Sequence, residues 1–368
     1  GRIMLTKYDE FLCHQMVSTF DHVETSDRAW TERTWFTAYD TSGRIQLVTS
    51  VGYYPNRNII DTYGAVAVEG KTQYVVRASR ELRPNIDTVV GPFLYQVLEP
   101  MKRLRASLDE NEYGLSYDVE FEGTMPPCEQ DTASQFIRSQ GRLIWNVCRY
   151  FQVGRPSGWI KVGGENYKID KDSWQAERDH SWGIRPTGGV PETGVQPTEI
   201  PPGYSYHFSL IQFPDWGILY EVVEDSEGKP SHGGGKVFYP YGSEKEGILI
   251  LSVEHEYQFR PDIRQLTGGR LLMGLEDGSE MEVLVNPKSV CYLRPGGYFG
   301  YEGFTHGLWM GPYFIDGLKL DLTDPNVERD ISYLDDRMCE MRCGNDVGYG
   351  VIEMVIVGKY LKYGYKGY

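Results

Sequence analysis

The sequence predicts an all-β protein: two consecutive antiparallel barrels with a few short helices. Three observations carry this. From about Thr34 onward, apolar and β-branched residues alternate in short runs. Asp, Asn and Gly clusters that favour tight turns punctuate those runs. The chain has 368 residues, 40% hydrophobic and 24% charged, which is too long for one small barrel and suits two globular cores.

The elements follow in order. Trp35–Tyr39 and Ile45–Val51 flank Asp40-Thr41-Ser42-Gly43, and Ala65–Val68 and Thr72–Val76 flank Glu69-Gly70; both read as hairpins. Leu115, Tyr117, Val119 and Phe121 alternate with Ser116, Asp118, Glu120 and Glu122, the period of a strand with one wet face. Two segments read as short helices: Pro92–Ala106, with a proline at its start, and Asp131–Asn146, with Phe136, Leu143 and Val147 near one side. The Pro- and Gly-rich stretch Thr187–Gly203 has no periodic pattern and is the expected domain boundary, dividing the chain into 1–195 and 196–368. Beyond it, strands are expected at Tyr204–Gln212, Gly217–Val223, Lys236–Tyr239, Ile248–Phe259, Arg270–Leu275, Glu280–Val285, Ser289–Leu293 and Gly348–Lys359.

Composition narrows the function classes. The formal charge is −15 with dispersed basic residues, which argues against a phosphate-tracking nucleic-acid surface. No apolar run reaches the 18 residues of a spanning helix, and Gly1–Tyr8 lacks the pattern of a secretory signal, so a cytoplasmic location is expected. Six cysteines without a CxxC pair argue against a disulfide framework or a zinc ribbon. His207, His232 and His255 show no metal-ligand spacing, and the glycines after His232 form no phosphate loop, so neither a metal nor a nucleotide or flavin cofactor is expected. The chain is rich in aromatics, with 27 Tyr, 14 Phe and 8 Trp, side chains that fill barrels and line apolar pockets.

Trp174–Pro186 packs two Trp, two Arg, two carboxylates beside a histidine, and two further polar side chains into 13 positions. If it is extended, Arg178, His180 and Trp182 point one way and Asp179 and Ser181 the other; one face would hold a ligand and the other would anchor the strand. Asp179 is a candidate proton carrier, as base or acid according to its surroundings. The alternative is an Arg–Asp pair closing the barrel mouth. A second segment, Tyr298–Gly311, sets His306 among Tyr301, Trp309 and four glycines, where an imidazole would titrate near neutrality or bond a backbone carbonyl. In Pro55–Tyr63, Arg57 and Asn58 occupy a loop, with Asp61 and Tyr63 on one face of the next strand. Arg57 and Tyr63 are suited to hold a substrate oxygen, and an ordinary turn with a surface Arg is the alternative.

At these segments the sequence resembles the hydroxyneurosporene synthase and carotenoid 1,2-hydratase-like superfamily, whose members look like two lipocalin-type domains in tandem. Asp179-His180-Ser181-Trp182-Gly183-Ile184-Arg185-Pro186 is similar to its D-x-x-W-G-x-R-P signature. Gly303-Phe304-Thr305-His306-Gly307-Leu308-Trp309 is similar to its G-x-x-H-G-x-W motif. The likeness is greatest to an uncharacterised bacterial catabolic branch and does not imply carotenoid hydration. Relatives include hydratases and fungal enzymes that guide pericyclic ring closure, so the resemblance implies a cofactor-free reaction in a pocket between the domains.

The expected function is therefore a cofactor-independent lyase, hydratase or isomerase. It would act by proton transfer on a largely apolar aromatic or terpenoid molecule; for a phenolic substrate, phenol deprotonation would drive benzylic bond cleavage. The expected catalytic residues are Asp179, His180 and His306, with Arg57, Asn58, Asp61, Tyr63, Arg178, Trp182, Tyr301 and Trp309 binding substrate. The rival is a non-catalytic carrier of a hydrophobic metabolite. A small hydrophobic or aromatic molecule is the expected partner, with no nucleic acid or membrane span, and a homodimer stays open.

Overall fold

The computed structural model describes residues 5–84, 87–130, 135–186, 195 and 201–367, and it is almost all strand. A meander of β1 (Trp30–Asp40), β2 (Ile45–Tyr54), β3 (Ile59–Val68) and β4 (Thr72–Glu81) opens the fold. Both expected hairpins form, and at the second Glu69 and Gly70 adopt φ of 52° and 63°, a left-handed pair whose twist suits the flanking strands.

Next come β5 (Val89–Val90), β6 (Phe93–Glu99), β7 (Arg103–Leu108) and β8 (Leu115–Gly123). They are followed by β9 (Cys128–Glu129), β10 (Phe136–Ser139), β11 (Arg142–Val162), β12 (Glu165–Ile169) and β13 (Trp174–Ile184). Both expected helices are hairpins instead. Phe93, Tyr95, Leu104, Ala106 and Leu108 are buried at alternating positions, so the apolar period in Pro92–Ala106 is two. In Asp131–Asn146, residues 131–134 lie outside the described residues; β10 then turns into β11 at Gln140 and Gly141, both at positive φ. Gly141 is the pivot of this two-residue turn.

The second half contains β14 (Gly203–Gln212), β15 (Gly217–Asp225), β16 (Pro230–Phe238), β17 (Ile248–Phe259), β18 (Leu266–Leu275), β19 (Glu280–Tyr292), β20 (Tyr313–Asp321), α1 (Pro325–Ile331), β21 (Leu334–Cys343) and β22 (Asp346–Gly358). Eight of these strands close a barrel in the order β14-β15-β16-β17-β18-β19-β21-β22. Glu280–Val285 and Ser289–Leu293, expected as two strands, belong almost entirely to the single strand β19, which carries an irregularity between Pro287 and Ser289. β20 leaves the barrel and pairs with β4, so the second half of the chain supplies an edge strand to the first sheet. The expected cut near residue 195 falls in a stretch of which only Val195 is described between 187 and 200.

The first sheet runs β20-β4-β3-β2-β1-β13-β11-β8-β7-β6-β5, with β9, β10 and β12 paired to β11. Among the described residues three large apolar layers hold the molecule, beside a small fourth cluster of Tyr292, Leu320, Leu322 and Ile331. One covers the inner face of this sheet, with Phe36, Leu47, Val66, Tyr117 and Phe121. A second fills the second barrel, with Tyr220, Val222, Leu271 and Met341. The third lies between sheet and barrel and draws on both: Trp35, Val48, Tyr63 and Phe151 from the sheet, Phe208, Leu210, Met338 and Val351 from the barrel. Strand β13 sits between β1 and β11, so its side chains alternate between the first layer and the third.

Candidate functional site

Alternation on β13 separates Arg178, His180 and Trp182 from Asp179 and Ser181. Register then decides what each set meets: Tyr150 of β11 lies opposite His180, and Gln152 opposite Arg178. On that inner face the Arg178 Nη1 donates to the Tyr150 hydroxyl at 3.2 Å, while its Nε and Nη2 donate to Gln152 Oε1 at 2.9 and 2.6 Å. The Tyr150 hydroxyl lies 3.3 Å from His180 Nδ1, and His180 Nε2 lies 2.8 Å from Glu32 Oε1.

These contacts have one consistent polarity. A guanidinium only donates and a carboxylate only accepts, so Arg178 donates to the Tyr150 oxygen, Tyr150 donates to His180 Nδ1, and His180 Nε2–H donates to Glu32. The order reproduces the logic of a hydroxyl activated by an imidazole that a carboxylate orients, with a tyrosine in the place of the serine. Removing the Tyr150 proton would leave a phenolate facing Arg178, whose guanidinium lies 5.2 Å from the ring centroid. The cluster is open to solvent at one end: the His180 side chain is 29% exposed and that of Glu32 44%, while Gln152 and Arg178 are buried behind them. Trp182 packs edge-on to His180 at 5.3 Å, and Tyr95 and Phe121 adjoin Arg178, so an apolar body has aromatic surfaces to lie against.

Asp179 faces the layer between sheet and barrel. Its Oδ2 lies 3.5 Å from Arg149 Nε, and burial pushes its carboxyl up against the opposing pull of Arg149 and Arg185. Nearby, Trp35 Nε1 donates to Asp336 Oδ2 at 2.8 Å, and burial raises Asp336 well above the carboxylate range. Glu353, whose charge also raises Asp336, is itself raised by burial to about 7. Arg185 is lowered to about 10 by burial and by the like charges of Arg149 and Arg33.

His306 belongs to the same layer. Its Nε2 lies 2.9 Å from the Gly296 carbonyl oxygen and 3.1 Å from Arg33 Nη2, and burial with Arg33 holds the ring neutral. The carbonyl bond named as an alternative is therefore present. Asp61 and Tyr63 share a face of β3 there: Asp61 accepts from the Gly307 amide at 2.7 Å and from Tyr54 at 3.2 Å, and Tyr63 stacks on His306 with its own hydroxyl buried and unpartnered. Asp179 and His306 share the charged neighbour Arg185, but no hydrogen bond joins them.

The remaining expected residues are spread out. Arg57 donates to the carbonyls of Arg28 and Gly307 at 2.9 and 3.1 Å, and Asn58 Oδ1 accepts from the Arg83 amide and guanidinium at 3.1 Å each, so both hold loops. Tyr301 lies under Arg294, and Trp309 is 52% exposed. Sequence reasoning missed Glu32, Tyr150 and Gln152. The alternation of Cys148–Gln152 marks a strand, but only the β11–β13 and β1–β13 registers bring these residues to His180 and Arg178. Among the described residues, no group of three or more His, Cys, Asp or Glu side chains is placed to hold a metal ion, and no helix is long and apolar enough to cross a membrane.

Fold and site together define a two-part β protein, a closed barrel packed on an open sheet, with a polar cluster at the mouth of the sheet's inner face. The chain belongs to the family of unknown function DUF8625, whose model matches residues 5–366. No curated protein matches it in sequence. In fold it is similar to a protein assigned as AttH from Nitrosomonas europaea, at a TM-score of 0.55 and 12% identity over 89% of this chain and 92% of that one. It is also similar to CghA in complex with Sch210972, at a TM-score of 0.51 and 9% identity over 90% and 89% of the two chains. Kievitone hydratase from Nectria haematococca matches at a TM-score of 0.46 and 13% identity over 88% of each chain. At these identities the likeness concerns the fold.

Proposed function

We propose that the protein is a cofactor-independent enzyme of the lyase, hydratase or isomerase kind, acting by proton transfer on a largely apolar molecule that carries a phenol, enol or carbonyl oxygen. The observation that carries this reading is the one-way chain Arg178–Tyr150–His180–Glu32 at a partly exposed position. His180 takes the Tyr150 proton and Glu32 holds the resulting imidazolium. The phenolate, faced by Arg178, removes a proton from the substrate and returns it at a second atom or to a leaving group. Trp182 and Tyr95 flank the apolar body. Asp179 and His306 act on this reading as anchors between sheet and barrel. A small molecule bound to CghA, on a similar fold, supports ligand binding by analogy alone.

The test is solvent-proton exchange in D2O, followed by NMR on 4-(4-hydroxyphenyl)butan-2-one, an aromatic ketone with a phenol and acidic α-protons. The reading predicts exchange above the buffer rate, with a loss of about 100-fold or more in Tyr150→Phe. Saturable binding without any exchange would replace the enzyme by the carrier.

A further inference from the structure

The second barrel contains a polar cluster that the proposed reaction does not use. His207 of β14 points inward and is 1% exposed; its Nδ1 lies 3.1 Å from the Tyr257 hydroxyl, which is 3.2 Å from that of Tyr220. Its Nε2 is buried and has no hydrogen-bond partner. The neighbouring His255, ring to ring at 4.7 Å, is fully engaged: Nδ1 with Tyr363 at 2.7 Å, Nε2 with Glu224 at 3.0 Å, and Glu224 is neutralised by Lys362 at 2.9 Å. One ring nitrogen in this interior is thus left without a hydrogen-bond partner, and a hydroxyl group brought in by a ligand would satisfy it.

Room for such a ligand comes from β16. His207 pairs with Val222 of β15, which pairs with Gly233, so these three positions form one row around the barrel wall. A Cβ built on Gly233 would meet nothing nearer than the Val253 amide nitrogen at 4.0 Å. At the barrel end, a depression of about 350 Å³ has Tyr257 in its lining, with Phe259, Tyr363 and Tyr365 as aromatic walls. The same Tyr257 therefore touches both the outer depression and the inner His207.

We propose that the second barrel is a separate binding site for a small neutral molecule with an apolar ring and one hydroxyl group. The hydroxyl bonds His207 Nε2 as donor or acceptor, the ring lies toward Gly233, and entry passes between Tyr257 and the C-terminal strap Leu361–Tyr365. A neutral ligand is specified because the nearest ion pair already balances: Glu224 is paired with Lys362.

Benzyl alcohol is the probe, with toluene as its hydroxyl-free counterpart, and the readout is the ring-nitrogen resonance of His207 in protein labelled with 15N-histidine. Saturable movement of that resonance with benzyl alcohol is expected, at an affinity at least tenfold above that for toluene. Gly233→Leu, which fills the row beside His207, should abolish the movement. A His207 resonance that stays fixed up to the solubility limit of benzyl alcohol overturns the proposal. So does movement that toluene reproduces at equal affinity, or that survives in folded Gly233→Leu.

Discussion

Arg178, Asp179 and His180 are consecutive, yet they live in two different environments. Arg178 and His180 look into the first sheet, where hydrogen bonds run in one direction toward a partly exposed carboxylate. Asp179 looks into the layer against the second barrel, where it is paired with Arg149 and sealed from water. The period of two in a strand is enough to divide a dense polar motif between a partly exposed cluster and a sealed layer. Density of functional residue types along the chain is therefore a poor guide to which of them act together.

The largest effect expected from this division falls on the inner face. His180→Gln keeps side-chain length and hydrogen-bonding capacity but cannot carry the Tyr150 proton, so the proton-exchange rate should fall about 100-fold or more with the melting temperature little changed. Unaltered exchange in a folded His180→Gln protein would remove His180 from the reaction.

On the other face the effect should appear as stability. Asp179→Asn leaves Arg149 without its charge partner in a buried layer, a change that costs roughly 3 kcal/mol. Denaturant unfolding should show that loss, while exchange in the folded fraction stays near the wild-type rate. The opposite pattern would return Asp179 to the reaction.

Two carboxyls of the second barrel, Glu353 on β22 facing the first sheet and Glu224 on β15, sharpen the contrast through pH. Burial raises Glu353 from 4.5 to about 7, so the folded state holds its proton where the unfolded chain has released it. That stabilisation is complete below pH 4.5 and is lost as pH rises through about 7. Glu224 runs the other way: burial pushes it up, but hydrogen bonds from His255, Tyr360 and Lys362 outweigh this and bring it to about 2. Its contribution is present above pH 4.5 and is lost as pH falls toward 2. Urea unfolding measured from pH 3 to pH 8 should therefore show Glu353→Gln flattening the decline on the neutral side and Glu224→Gln flattening that on the acid side. Identical slopes in both variants and the wild type would contradict the assignment.

The smallest effect expected is at Arg57, whose two carbonyl bonds tie Arg28 and Gly307 together at a half-buried surface. Arg57→Ala should cost about 1 kcal/mol in unfolding free energy and leave exchange intact, whereas a residue binding substrate would lower the rate.

Much of the fold was legible because the information was local. Alternation marked β8, β14 and β17, and turn residues marked the β1–β2 and β3–β4 hairpins. β21 escaped because Asp335, Asp336 and Arg337 are all buried, one face toward the barrel interior and the other toward the first sheet, so a charged run hid a strand buried on both sides. β20 escaped because its partner β4 lies more than 200 residues earlier. At the site, the two-way division of Arg178–Trp182 was readable from period alone. Glu32 and Tyr150 were not, since each reaches His180 only through strand register.

The most direct test of a reaction on the inner face of β13 places Tyr150→Phe beside Asp179→Asn in one D2O exchange experiment on 4-(4-hydroxyphenyl)butan-2-one, with the unfolding free energy of each protein measured alongside. Tyr150→Phe should lose about 100-fold or more in exchange at near wild-type stability, and Asp179→Asn should lose stability at near wild-type exchange. Exchange that survives in Tyr150→Phe and disappears in folded Asp179→Asn would place the chemistry on the opposite face of β13 and contradict a reaction on the inner one.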